Sequence, residues 1–350
     1  MTTTTPSPAD EPTMPLSRVL IDALDNTPVT SASTGGDELP VSVWATAQTS
    51  PAAQRKGRYV PESTAHPAKM LPAVAAHAIE RYTKPGEVVL DPMCGIGTTL
   101  VEAIDLGRRA VGVEYEPHWA DIAGANLRFA RERGHDHDHD GQVVRGDARQ
   151  LNALLPEQYV GQVALVVTSP PYGPSVHGLV NTDREAGVDK VSKRHYRYGS
   201  ALDRGNLANV GHHRLLAGFT RILTACARVL RPGGHVAITV RPWREHAELI
   251  DLPSQVAACG AAAGLIPVER CVALLARVAD EGLVVRGSFF QRDFIRKQRE
   301  SGLPLHLIAH EDVVVFKAAG GRAREDAIRR AGHISVHHEY GAIGPGHWAA

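Results

Sequence analysis

Four cysteines in 350 residues, Cys94, Cys226, Cys259 and Cys271, stand far apart with no CxxC pair among them. That scarcity excludes a disulfide scaffold and a Cys-ligated zinc module, and it fits a reduced intracellular chain. Net charge is missing too: 38 basic against 38 acidic residues leave a formal zero. No global field therefore draws the chain to a polyanion, and any contact with nucleic acid has to come from local patches. No apolar run reaches the roughly 18 residues of a membrane span, and the Thr/Pro-rich start lacks the basic and apolar regions of a secretion signal. These absences predict a cytoplasmic protein without membrane association. What is present, 43% hydrophobic and 22% charged residues, is the composition of a soluble protein with a sizeable core.

Residues 1–40 are rich in Thr, Ser, Pro and Asp and read as a flexible tail. RKGRYVPESTAHPAKM (55–70) reads as irregular, and 70–83 as an amphipathic helix. An alternation follows: strand 84–91, helix 98–107 stopped by Gly107, strand 109–115, helix 117–134 with Pro117 in its first turn, and strands at 142–147 and 162–169. A long helix ending in a Gly-Gly turn (214–234), a strand (235–240) and a further helix (about 244–263) come next. Segments 268–278 and 311–318 lack a crossover helix between them and predict an antiparallel pair at one sheet edge. The expected fold is α/β, a doubly wound and mostly parallel sheet. The sheet domain spans 41–319, with an inserted loop at 173–212 and a loosely ordered tail at 320–350. HDHDHD (135–140) has metal-binding residue types, but its place between helix and strand suits a solvated turn, and no metal is expected.

The first strand ends in DPMCGIGTT (91–99). Gly95 and Gly97 at this turn let backbone approach a ligand, and the next helix offers free N–H groups. A third glycine is absent because position 100 is Leu100, so the dinucleotide fingerprint fails, and there is no GxxxxGK[ST]. A carboxylate in the turn, Asp91, repels pyrophosphate and attracts an ammonium group. Glu114, at the end of the second strand, suits both hydroxyls of a ribose, and Asp147, at the end of the third, suits an exocyclic amine such as adenine N6. Ammonium, ribose and adenine acceptors on successive strand ends outline S-adenosylmethionine.

The fourth strand runs into SPPY, Ser169 to Tyr172. Two prolines fix two φ angles and remove two donors, leaving a stiff corner of acceptors beside an aromatic ring. An aromatic amine is a poor nucleophile because its lone pair is delocalised. Acceptors on its N–H bonds, Ser169 Oγ and the Pro170 carbonyl, favour the pyramidal form that attacks. Tyr172 would stack on a base flipped out of its duplex. Carbon-5 methylation needs a cysteine after the prolines, and none is there.

With these pieces the sequence resembles the DNA amino-methyltransferases, the family that methylates cytosine N4 or adenine N6. The likeness rests on HPAKM (66–70), VLDPMCGIGTTLVEA (89–103), VGVEYEP (111–117), VVRGDA (143–148) and TSPPYG (168–173). It implies the class I S-adenosylmethionine-dependent methyltransferase fold. It also implies that Asp91, Gly95, Gly97, Thr98 and Thr99, with His66 and Lys69, hold the methionine end of the cofactor, while Glu114 and Asp147 hold ribose and adenine. Ser169, Pro170, Pro171 and Tyr172 are the implied catalytic corner, and Ser at 169 is more typical of cytosine-N4 enzymes. The order here, cofactor turn before SPPY, departs from the commonest permutation of that family.

The insert after SPPY interleaves Lys190, Lys193, Arg194, Tyr196 and Arg197, a pattern suited to phosphate contact and base stacking. Asp183, Glu185 and Asp189 partly cancel its charge, so a solvated loop stays open as an alternative. RGSFFQRDFIRKQRE (286–300) is a second candidate. DNA is the expected partner, and a homodimer is compatible with the sequence. An RNA amino-methyltransferase such as a tRNA guanine-N2 enzyme would share the cofactor half and the corner. It usually carries an RNA-binding module, for which the first 60 residues are short and polar. A protein glutamine methyltransferase and a non-catalytic cofactor-binding module are the remaining readings.

Overall fold

The computed structural model describes residues 39–133, 141–171, 179–183, 190–194, 203, 205–245, 248–286 and 289–319. The sequence expectations on the tail at 1–38, on HDHDHD, on Tyr172, Tyr196 and Arg197 and on the tail from 320 fall outside the described residues.

The chain enters through a two-residue strand β1 (Val43–Trp44) and a short helix α1 (Pro51–Arg55). Ser50 caps α1 by accepting the Ala53 N–H at 3.1 Å, and Pro51 sits in its first turn, where a missing N–H costs nothing. Helix α2 (Pro72–Tyr82) buries Val74, Ala75, Ala78 and Ile79 along one face. Strand β2 (Val88–Asp91), helix α3 (Thr98–Asp105), strand β3 (Arg109–Glu114) and helix α4 (Pro117–Glu132) follow, close to their expected bounds. Strands β4 (Gly141–Arg145) and β5 (Val163–Thr168) complete the first half.

The second half departs further from expectation. The insert after the Ser-Pro-Pro corner contains a hairpin of β6 (Leu179–Asp183) and β7 (Lys190–Arg194), joined in antiparallel register. Helix α5 (His212–Val229) ends at Val229, and the residues expected as a Gly-Gly turn lie inside strand β8 (Leu230–Val240). The register against β5 jumps from Val163↔Leu230 to Leu165↔His235, so β8 absorbs the extra residues as a bulge. Gly233, at φ 73°, supplies the left-handed backbone that the bulge needs. The helix expected from about 244 starts at Leu252 instead. Residues Trp243–Glu245 (β9) and Glu248–Ile250 (β10) form a small hairpin, and helix α6 (Leu252–Ala262) begins only where Asp251 caps it and Pro253 occupies its first turn. Strand β11 (Leu265–Leu274), the hairpin β12 (Ala276–Ala279) and β13 (Gly282–Val285), helix α7 (Phe289–Glu300) and strand β14 (His310–Ala318) close the fold.

The eight main strands form one sheet in the order β1-β11-β14-β8-β5-β2-β3-β4. β14 runs antiparallel to both β8 and β11, while β8, β5, β2, β3 and β4 are parallel. The antiparallel pair expected at one edge is thus β14 and β11, with β1 added outside it in parallel. This is a doubly wound, mostly parallel α/β sheet with an antiparallel pair toward one edge. Neighbouring residues on β2 serve opposite faces: Val89 joins the core under α2, α3 and α4, and Leu90 joins the core under α5 and α6. Strands covered on both faces have to be apolar throughout, which is why VVLD and VALVVT are buried along their whole length. Strand order reverses between β2 and β5, and the crevice at that reversal is where such sheets bind ligands.

Candidate functional site

A 740 Å³ cavity opens at the carboxyl ends of the parallel strands, a size usual for small-molecule sites. Its walls include every expected cofactor residue except Gly97, together with Ser169, Pro170 and Pro171.

One half of the cavity is built from the ends of β2, β3 and β4. Asp91 is buried, and its Oδ2 accepts the Thr99 hydroxyl at 2.8 Å while Oδ1 accepts the Met93 N–H at 3.0 Å and the Thr168 hydroxyl at 2.9 Å. A carboxylate has about four acceptor sites, so three are used and one remains toward the cavity. Burial raises the Asp91 pKa to about 6, against the opposing effect of its hydrogen bonds. Gly97 caps α3 at φ 80°, a left-handed conformation, and a Cβ there would come within 3.2 Å of the Ala123 methyl. The turn therefore lies tight against α4 and leaves its cavity side to the backbone of Gly95, at φ 53°.

Glu114 is 2% exposed. Its Oε2 accepts the Gly95 N–H at 2.8 Å and its Oε1 accepts the Glu116 N–H at 2.9 Å, so the ribose candidate also braces the glycine turn. Burial raises its pKa to about 7. Asp147 accepts from the Arg149 side chain at 2.6 Å and from its backbone N–H at 2.9 Å, and these bonds hold its pKa below the usual range despite partial burial.

The upstream segment roofs this half. His66 is buried, its ring edge-on to Trp119 at 4.6 Å between centroids, and its Nδ1 accepts the Ala68 N–H at 3.2 Å. Lys69 donates to the carbonyls of Thr64 at 3.1 Å and His66 at 2.5 Å. Burial, and then the neighbouring Arg55, bring the Lys69 pKa down to about 8. Arg55, which the sequence reading passed over, donates to the Met70 carbonyl and lies 5.6 Å from the Tyr59 ring centroid. Its Nε is buried without a hydrogen-bond partner among the described residues. Two cations thus share one wall of the cavity, with an unspent donor between the glycine turn and α1. The Ser50-Pro51 helix-start signal marks α1 in the sequence, but nothing local points to its last residue as a cavity wall.

The other half is built from the ends of β5 and β8 and the start of β14. Ser169 and Pro171 are half-buried and Pro170 is buried. The corner is tied to the cofactor side by the Thr168 hydroxyl on Asp91, one residue before Ser169. Thr239, Arg241, Trp243 and Glu311 line the wall beyond. Val240 pairs with Asp312, so Arg241 and Glu311 come next to each other across the strands. Burial raises the Glu311 pKa, and Arg241 opposes the rise. Gln291 and Phe294 of α7, with Arg286 before it, complete the rim. Lys190, Lys193 and Arg194 lie together on β7. Among the described residues no group of three or more His, Cys, Asp or Glu could hold a metal ion, and no helix is long and apolar enough to cross a membrane.

Residues 16–124, which include the HPAKM segment, the glycine turn and Glu114, match a family model described as DNA methylase. Two relatives overlap in sequence. The tRNA (guanine(10)-N2)-dimethyltransferase of Methanocaldococcus jannaschii is 31% identical over 127 residues, 36% of this chain and 33% of that protein. The enzyme of the same name from Methanothermobacter thermautotrophicus is 35% identical over 109 residues, 31% of this chain and 29% of that protein. The chain thus spans about a third of the length of the curated relatives it matches. A solved methyltransferase from Pyrococcus furiosus is 12% identical, with a TM-score of 0.39, over 72% of this chain and 84% of that one. The DNA methylase match ends before Asp147 and the Ser-Pro-Pro corner, so it bears only on the part of the cavity built from the HPAKM segment and the ends of β2 and β3.

Proposed function

We propose that the protein is an S-adenosylmethionine-dependent methyltransferase acting on the exocyclic amine of a DNA base, with cytosine N4 favoured over adenine N6. The observation that carries this reading is the hydrogen bond from Thr168 to Asp91. It locks a pre-placed pair of amine acceptors, Ser169 Oγ and the Pro170 carbonyl, to the turn suited to a cofactor's amino-acid end.

The donor set fits that cofactor. Asp91 keeps one acceptor site for an ammonium group, and Arg55 and Lys69, which line the same cavity, supply positive charge for a carboxylate. Gly95 leaves space along the turn, and Glu114 and Asp147 are the proposed acceptors for the ribose and the adenine amine. Thr98 and Thr99 begin the helix below, and His66 holds the roof against Trp119. When bound, S-adenosylmethionine supplies an electrophilic methyl group on a sulfonium centre. The chain's own part is to orient the acceptor amine. Ser169 and Pro170 accept its N–H bonds, free its lone pair, and stabilise the positive charge that grows on nitrogen. Pro171 keeps the corner rigid, and Tyr172 is the proposed stacking partner of a flipped base. Lys190, Lys193 and Arg194, with Tyr196 and Arg197 beyond them, are the proposed phosphate and base contacts of the insert.

A second reading, methylation of guanine N2 in tRNA, is favoured by one observation. Both relatives described above carry that activity in their names. Methyl transfer from labelled cofactor to unmethylated genomic DNA and to unmodified tRNA, followed by nucleoside mass spectrometry, tests both. N4-methylcytosine or N6-methyladenine supports the first reading. Label in N2-methylguanine alone replaces it with the second.

A further inference from the structure

Helix α7 has two unlike faces. Gln291 and Phe294, three residues apart and so on one side of the helix, line the rim of the cavity. Phe294 is 42% exposed, an aromatic ring left open at the mouth of the site. Arg292, Arg296 and Arg299 recur at the i, i+4, i+7 spacing and form an exposed stripe on the outer side of the helix, across its axis from Phe294. Arg292 donates to the Val285 carbonyl at 2.8 Å and Arg299 to the Leu305 carbonyl at 3.0 Å, so neither guanidinium spends its charge on a carboxylate among the described residues. Asp293 binds Arg296 at 2.5 Å and Lys297 at 2.9 Å, and both of those side chains stay 66% exposed. A protein with zero net charge has here concentrated cations beside its cavity.

Resting on the nucleic-acid reading above, we propose that α7 is a docking surface for the substrate strand. Phe294 stacks on a base at the cavity mouth, and Arg292, Arg296 and Arg299 hold phosphates of the flanking strand where it passes over the outer side of the helix. A helix rises about 1.5 Å per residue, so the stripe extends about 10 Å, enough to run along several consecutive nucleotides. The charge suits a polyanion, and the open ring suits unstacked bases, which a purely structural helix would not need to offer at a rim.

The test uses the full chain, a fluorescent oligonucleotide offered as DNA duplex and as RNA, and binding measured over a salt series. A variant with Arg292→Gln, Arg296→Gln and Arg299→Gln is expected to lose affinity at least tenfold. Its slope of log K against log[salt] should flatten by about 2.7 on duplex DNA and by about 2 on a single strand, the values for three lost phosphate contacts. S-adenosylmethionine binding should stay unchanged in the same preparation, which shows that the cavity is intact. Phe294→Ala, an exposed substitution, is expected to lower kcat/KM for nucleic-acid methylation about tenfold and to leave the salt slope alone. Wild-type affinity and slope in the triple variant would overturn the role of α7 while leaving the methyltransferase reading in place. Failure of the unmodified protein to bind either nucleic acid, with cofactor binding retained, would overturn both.

Discussion

The two halves of the cavity are built on different terms. On the side of β2, β3 and β4, polar groups are buried and tied to one another: Asp91 to Thr99, Thr168 and Met93, Glu114 to Gly95 and Glu116, Asp147 to Arg149. On the side of β5, β8, β14 and α7, the side chains are larger, more exposed and more cationic, with Arg241, Arg286 and Phe294 at the rim. A site that holds one invariant molecule gains from a wall whose donors and acceptors are fixed before it arrives. A site that receives a polymer has to let one nucleotide in and release it. The difference accords with the proposed roles, the braced half for the cofactor and the open half for the acceptor.

The largest effect expected from breaking this contrast is at Asp91. Asp91→Ala would orphan two buried hydroxyls and one amide, at about 1–3 kcal/mol each. It should abolish S-adenosylmethionine binding in calorimetry and lower the melting temperature, since one residue serves both the fold and the ligand. Ser169→Ala probes the other half. Turnover should drop about a hundredfold, the scale of losing one positioned hydrogen-bonding group in a transition state, while cofactor affinity stays the same. A parallel loss of cofactor binding in Ser169→Ala would erase the distinction between the halves. Gly97→Ala places a Cβ on left-handed backbone at φ 80° and within 3.2 Å of Ala123. The expected cost is about 1–2 kcal/mol, read as a melting temperature lower by a few degrees.

The smallest expected effect is on pH. Asp91 and Glu114 have pKa values raised to about 6 and about 7 in the folded protein, above their unfolded values. Their protonated forms are favoured by folding, so the ligand-free protein should lose stability as pH rises through those values. An ammonium group at Asp91 favours the ionised form. Cofactor affinity should accordingly rise up to about tenfold between about pH 5.5 and about pH 7.5, with protons released on binding. Calorimetry in buffers of different ionisation enthalpy checks the release, and flat affinity across that range would detach Asp91 from the ligand.

The braced half was also the more legible in sequence. DPMCGIGTT places a carboxylate, two flexible residues and a helix start at one strand end, and each type is needed for a local reason: φ above zero at Gly97, a hydroxyl within reach of Asp91 at Thr99. Arg241 and Glu311 are 70 positions apart, and only the pairing of β8 with β14 makes them neighbours, which no local pattern reveals. The same holds for Arg55, whose place on the wall depends on where α1 packs. The helix expected from about 244 was misplaced because the charged residues Arg241, Arg244, Glu245 and Glu248 imitate a helix surface. The Asp251–Pro253 start signal was there and carried the correct boundary. The bulge in β8 could not be read from RPGG, since a Gly-Gly pair is equally at home in a turn.

The four cysteines acquire a use from where they lie. All are free and buried, Cys94 within the glycine turn and Cys226 on α5 under the sheet. Neither thiol reacts until its surroundings open, so each is a clock on the breathing of its own neighbourhood. Labelling rates at Cys94 with and without cofactor report how far the ligand quiets the turn, while Cys226 keeps time for the core.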